Sequence, residues 1–132
     1  MEQKLHATDV LEEAGYSVDD LTDIDWDKFI EIGSDVYDKT GYSLLSVQAG
    51  SADLIYQMLQ SAGFSTWNED GTPNIAGNDN IKQCIEIYQE MSEKHVLSIV
   101  NSWDEYVATF TSGKTAGVIN GCWILASVQT AE

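Results

Sequence analysis

The chain has 132 residues, a single-domain length that lets about 70% of the unfolded surface be buried. Hydrophobic residues make up 43% and proline occurs once, which excludes a disordered or low-complexity segment. Twenty-two acidic residues against six lysines, with no arginine, give a net charge of −16; this excludes nucleic acid as a partner and disfavours anionic membranes and polyanionic ligands.

Five helical patterns follow in chain order. In the first, Thr8 or Asp9 caps, Val10, Leu11 and Ala14 share a face, and Gly15 ends the run. The second opens at Asp25 and repeats Trp26, Phe29, Ile30, Gly33 and Tyr37 at helical spacing until Gly41. A strand is expected over residues 42–48. The third helix aligns Leu54, Ile55, Met58, Leu59 and Ala62 and stops at Gly63, before a small hairpin over 65–72 turning on Asp70-Gly71. The fourth places Ile81, Cys84, Ile85, Tyr88 and Met91 on one face, with Glu86, Glu90 and Glu93 towards water. The fifth starts with a capping box, Ser102 and Glu105, buries Trp103, Tyr106, Val107 and Phe110, and ends at Gly113 before a strand over 115–120. The sum is an α-rich α+β unit with few short strands.

Two cysteines, Cys84 and Cys122, are too few for a disulfide framework and too distant for a metal knuckle. No apolar run is long enough to span a membrane, and the first residues lack the apolar core of a signal sequence. Thr111-Ser112-Gly113-Lys114-Thr115 superficially suggests a phosphate loop. Ala108 stands where that loop needs its first glycine, and the order is helix then strand, so Gly113 reads as a helix stop. The aspartates from Asp19 to Asp27 lack the glycine and glutamate of a calcium loop, since Lys28 and Ser34 occupy those positions, and read as a solvated acidic loop. His6 and His95 have no companion ligands or nucleophile, and His95 suits a helix end. The carboxylate rows Asp27, Glu31, Asp35, Asp38 and Glu86, Glu90, Glu93 are solvated helix faces. Nothing points to catalysis, a metal or a cofactor.

The tryptophans carry more information. Trp26 and Trp103, each first in a helix, read as packing residues, and Trp67 as a cover for the core edge. Trp123 follows Ile119-Asn120-Gly121-Cys122 at a strand end, where an aromatic can line a cleft; a core tryptophan of a following helix is the alternative.

The order of these parts resembles the extracellular solute-binding proteins of ABC importers, in the large carbohydrate-binding, maltodextrin-binding-protein-like family. The matching stretches are Val10 to Gly15, Asp25-Trp26-Asp27-Lys28-Phe29, Leu59 to Phe64 with the hairpin, and Asn80 to Met91. The last runs from Trp103-Asp104-Glu105 through Phe110, Gly113-Lys114 and Ala116 to Asn120-Gly121-Cys122-Trp123. The resemblance implies a two-lobed periplasmic-binding-protein-like fold with ligand held between lobes. Residues 1–132 would then be one domain, part of the helix-rich second lobe, with the first lobe, hinge and signal sequence outside the chain.

The implied function is non-catalytic capture of a mono- or oligosaccharide for the membrane subunits of an ABC transporter. The full-length protein would be extracellular, either a membrane-anchored lipoprotein or periplasmic. Trp123 matches the tryptophan that stacks on a pyranose ring in relatives, and Asn120 belongs to the same motif. Gln48, Ser51 and Asp53 occupy another cleft segment, where they either bind sugar hydroxyls or stabilise the loop and cap a helix. Gly50 and Ala52 stand where some relatives carry an aromatic or a carboxylate, so the resemblance does not name the sugar. Absence of the first lobe would leave an apolar strip able to drive dimerisation. The alternative reading is an acidic helical module that binds another protein.

Overall fold

The structure, a computed structural model, describes residues 7–129. His6 lies outside the described residues. The elements run α1 (Ala7–Glu13), a 3-10 turn (Val18–Leu21), α2 (Trp26–Thr40), β1 (Ser43–Gln48), α3 (Asp53–Ser61), α4 (Asp79–Glu93), β2 (Leu97–Val100), α5 (Trp103–Thr111), β3 (Thr115–Gly117) and α6 (Ile124–Gln129). Helices dominate, as the α-rich reading requires.

The strands form one parallel sheet in the order β2-β1-β3. Leu45 lies opposite Leu97 on one side and Gly117 on the other. As the central strand, β1 buries Ser43, Leu44, Leu45 and Ser46 in succession. Burial on both faces is the normal state of a parallel strand covered by helices, and explains why this segment does not alternate. Parallel pairing also demands a crossover between strands, which α3 with α4 and then α5 supply.

The strand expected over 115–120 pairs only at Thr115–Gly117; Val118 to Asn120 leave the sheet. β2 was not expected. The run Val96-Leu97-Ser98-Ile99-Val100 has the right residues, but the helix stop before it is His95 instead of glycine. His95 sits at φ +58°, in the left-handed region, and its ring stacks on Tyr37 with centroids 4.5 Å apart. Backbone bonds from His95 N–H to Ser92 and from Val96 N–H to Met91 close the helix there. The hairpin around Asp70-Gly71 reduces to a single antiparallel bridge between Trp67 and Pro73.

Several faces differ from the periodic expectation. α1 begins at Ala7, so Thr8 and Asp9 lie within its first turn instead of capping it. In α2, Asp25 caps as expected by accepting the Lys28 N–H at 2.8 Å; the buried stripe is Ile30, Ile32, Gly33 and Val36, with Trp26 and Phe29 half-buried against the core and Tyr37 off it. Ile85 of α4 is exposed while Ile87 packs on the core, because the inward face is rotated from the expected one. Trp67 covers nothing; it is 58% exposed. Trp103 is 40% exposed instead of packed, while Tyr106 and Thr109 are the buried positions of α5. Cys84 is buried and Cys122 exposed, and both are free thiols.

The acidic residues have local tasks. Asp20 accepts the backbone N–H and hydroxyl of Ser17, which holds its carboxyl below the usual range. Lys28, Lys39, Lys82 and Lys94 each pair with a carboxylate one helical turn away, exposed contacts that add little individually. The junction of α1 and α2 is tighter. Asp35 accepts the Lys39 ammonium at 2.6 Å and the Tyr16 hydroxyl at 2.8 Å, and Lys39 also donates to the Ala14 carbonyl at 3.1 Å.

Gly33 sets how closely α2 lies on the sheet. A Cβ there would meet the Val96 methyls at 2.6 and 2.9 Å and Leu44 Cδ1 at 3.0 Å. Gly33→Ala should therefore destabilise the chain by about 1–3 kcal/mol in denaturant unfolding, although alanine is the better helix former. The Lys39 and Tyr16 hydrogen bonds hold the Asp35 carboxyl below its ordinary range. A depressed carboxylate adds stability above the ordinary range and loses it as pH falls through the depressed value. Stability curves of wild type and Asp35→Asn against pH should thus be separated at neutral pH and converge in acid.

Candidate functional site

Parallel strands point all their carboxyl ends one way, and the segments leaving them meet at one edge of the sheet. After β1 the chain turns through Gly50, at φ +79°, into α3. After β2 it passes Asn101 and Ser102 into α5, and after β3 it runs from Val118 to Trp123 before α6. These segments enclose a small groove of about 50 Å3 that opens to solvent.

Gln48 closes β1, and Ser51 and Asp53 follow it along the rim. The Ser51 hydroxyl accepts the Asp53 N–H at 3.2 Å, so it also stabilises the turn. Asp53 is the first residue of α3 and not its cap, a position held by Ala52 without a side-chain bond. Its carboxylate suits the positive end of that helix. On the opposite side, Asn120 donates from Nδ2 to the Tyr106 hydroxyl at 3.2 Å, and its Oδ1 accepts the Gly121 N–H at 2.8 Å. Tyr106 is 5% exposed, and burial raises its phenol, with the Asp53 charge acting in the same direction against the Asn120 bond. The phenol therefore keeps its proton at neutral pH.

Ser46 lines the groove from the sheet, 3% exposed, and its hydroxyl has no hydrogen-bond partner among the described residues. Gln57 Oε1 and the Thr115 hydroxyl are likewise buried without a partner, away from this lining.

The aromatic side is Trp103. The expectation placed Trp123 there, but the groove is lined by Trp103, and Trp123 stacks against that indole with centroids 5.5 Å apart and planes 28° apart. Gln48, Ser51, Asp53 and Asn120 are brought to the one groove, and Trp123 is reached only through its neighbour. Ser46, Trp103, Tyr106 and Ile119 also line it, with Leu45, Val47 and Leu54, and are not among the sequence candidates. Trp103 was within reach, since an aromatic just past a strand end is a cleft candidate. It was hidden because β2, the strand it follows, was hidden. The register that buries Ser46 could not be read without the pairing.

A second, more open hollow of about 460 Å3 has Ile75, Ile81 and Ile85 with Asp79, Lys82 and Glu86 around it, and no aromatic wall. Gly113, at φ +70°, ends α5, with the Lys114 N–H bonded back to the Thr109 carbonyl at 2.8 Å. The segment is a helix stop and not a phosphate cradle. No described helix is long and apolar enough to cross a membrane.

Residues 6–132 match the family described as bacterial extracellular solute-binding protein. The chain is similar to a lactose-binding protein of Rhizobium radiobacter, 36% identical over 125 residues that cover 95% of this chain and 30% of that protein. Its fold is similar to that of the GacH receptor of Streptomyces glaucescens, with a TM-score of 0.71 and 17% identity over 95% of this chain and 32% of the receptor. That receptor has been solved unliganded and in complex with acarbose and an acarbose homolog. The chain thus spans about a third of the length of the relatives it matches. Family membership leaves the alternative, an acidic helical interaction module, without an observation in its favour. This chain belongs to the bacterial extracellular solute-binding protein family.

Proposed function

We propose that the chain forms one wall of a non-catalytic binding cleft that captures a carbohydrate for an ABC importer. The observation that carries this reading is the groove itself. At the carboxyl ends of three parallel strands it sets an indole beside a buried free hydroxyl, a carboxamide and a rim of polar side chains. A sugar has an apolar C–H face and a hydroxyl edge, so an aromatic surface with a few convergent polar groups is the complementary lining. Asp53 is the one carboxylate in that lining, and with a chain charge of −16 it disfavours anionic ligands. The lining holds neither histidine nor cysteine, which supports binding over chemistry.

Gln48, Ser51, Asp53 and Asn120 are the hydrogen-bonding candidates, and Trp123 contributes through the stacked pair. The names of the relatives, one lactose-binding and one solved with acarbose, support a saccharide ligand. We read residues 1–132, about a third of the length of those relatives, as one domain, part of a second lobe. In the whole protein the ligand would favour closure by touching both lobes, and the protein would work outside the cytoplasmic membrane beside its transporter subunits. Half a cleft with half the contacts binds weakly, about −4 kcal/mol where the whole site reaches about −8.

Titration of the indole N–H resonances with lactose, acarbose and simple monosaccharides tests this directly. Saturable shifts at the groove indole in the millimolar range are expected; unmoved indoles with every sugar at saturating concentration would overturn the reading. Ser46→Ala separates ligand binding from packing. It should weaken sugar binding severalfold while leaving stability unchanged or raised by about 1 kcal/mol, because the lost hydroxyl had no protein partner. Exposed Trp103, Ile119, Trp123 and Leu125 also lead us to expect dimers at high concentration. Sedimentation as a clean monomer would count against that association.

A further inference from the structure

We propose that Asn120-Gly121 is a site of spontaneous deamidation, at which a carboxamide on the groove wall becomes a carboxylate without any enzyme. The reaction belongs to the backbone of this chain and does not depend on what the groove binds.

Asn120 is the one asparagine of the chain that precedes a glycine. The chemistry needs the following backbone nitrogen to reach the side-chain carbon, and a Cβ on that following residue obstructs the approach; glycine has none. The local structure supplies the rest. Residues 118–121 lie outside helix and strand, with Asn120 half-buried and Gly121 exposed. The Gly121 N–H donates to Asn120 Oδ1 at 2.8 Å instead of to a strand or helix partner, so the carboxamide is already folded back on the nitrogen that attacks it.

Asp70-Gly71 is the rival pair, and its geometry differs. The Asp70 carboxylate accepts the Thr72 N–H at 2.9 Å and the Thr72 hydroxyl at 2.6 Å, which favour the ionised form and turn it towards Thr72. The Gly71 N–H is engaged with the Asn68 carbonyl at 3.0 Å.

In the reaction, hydroxide removes the Gly121 amide proton and the nitrogen bonds to Asn120 Cγ. The Cγ–Nδ2 bond breaks, and Nδ2 takes a proton from water and leaves as ammonia. Water then opens the cyclic imide. Cleavage of the new N–Cγ bond gives aspartate, and cleavage of the original peptide bond gives isoaspartate. Overall one water enters and one ammonia leaves.

The position makes the product consequential. Asn120 Nδ2 donates to the Tyr106 hydroxyl at 3.2 Å; a carboxylate has no proton to give, so that bond reverses and the phenol donates. The groove lining gains a second carboxylate besides Asp53. Isoaspartate also lengthens the backbone just before Gly121, over which the Trp123 ring lies. Weaker binding of an uncharged, hydroxyl-bearing ligand follows, and that consequence alone rests on the carbohydrate reading above.

The test holds the 132-residue chain in mildly alkaline buffer and follows it by peptide mass mapping, with aspartate and isoaspartate products separated by chromatography. Residue 120 should gain about 1 Da before any other position, at a rate within about threefold of the denatured chain, because an irregular exposed segment opens at little cost. Gly121→Ala should slow the reaction by more than about tenfold in both the folded and the denatured chain. The denatured comparison removes displacement of the Trp123 ring as a cause. A folded chain unchanged at residue 120 while the denatured chain reacts would overturn the proposal, as would Gly121→Ala reacting at the wild-type rate. Asn120→Asp, compared with wild type in lactose titrations, should bind more than about threefold more weakly. Equal affinity would overturn the consequence for binding, and a wild type that binds neither lactose nor acarbose would overturn the carbohydrate reading. In either case the mass map decides the modification by itself.

Discussion

The parallel pairing of β1 between β2 and β3 is the constraint on which the rest depends. It aims three carboxyl ends at one edge, so residues distant in sequence, Gln48, Trp103 and Asn120, meet around one groove. It also requires helical crossovers, supplied by α3 with α4 and by α5, although the sheet is small. The same pairing buries β1 on both faces. Ser43 satisfies its hydroxyl on the His95 carbonyl at 2.8 Å, whereas Ser46 keeps a free hydroxyl at the groove. Two serines of one strand thus serve different ends, one tying the sheet to a helix terminus and one facing the site.

Helix placement rests on close approach and on helix endings. α2 comes down on Leu44 and Val96 only because Gly33 has no side chain. α4 ends at His95 in a conformation glycine would adopt more readily, and the stack on Tyr37 offsets part of that strain. The ending returns the chain as β2 at once, with Val96 and Leu97 buried. Trp103 stands where it does because of that abrupt turn.

Charge is arranged around this frame without entering it. The carboxylates of Asp20, Asp25, Asp35, Asp70 and Glu105 take N–H or O–H donors at helix ends, junctions and a turn, and Glu31, Glu86 and Glu90 pair with lysines on helix faces. Within the groove, Asp53 is at the rim and the other polar groups are neutral. A strongly acidic chain thus carries a groove whose lining has a single carboxylate.

The sequence by itself determined α1 to α5, though not α6, because their signals are local. Asp25 and Ser102 accept the N–H groups their positions promise, and Val10, Leu11, Ala14, Leu54, Met58 and Leu59 are buried as their spacing requires. It also determined the family, through a series of short motifs spread along nearly the whole chain, and it located Gln48, Ser51, Asp53 and Asn120 in segments that meet. Only the tertiary structure decided which tryptophan faces the groove. That choice depends on β2, whose helix stop is a histidine, and on the ring of Trp123 lying over Gly121. It likewise decided that Ser46 lies beneath the site and that α2 turns Ile32 and Val36 inward. Strand pairing and the direction of a ring are set by contacts between distant residues, and such contacts leave no period in the sequence.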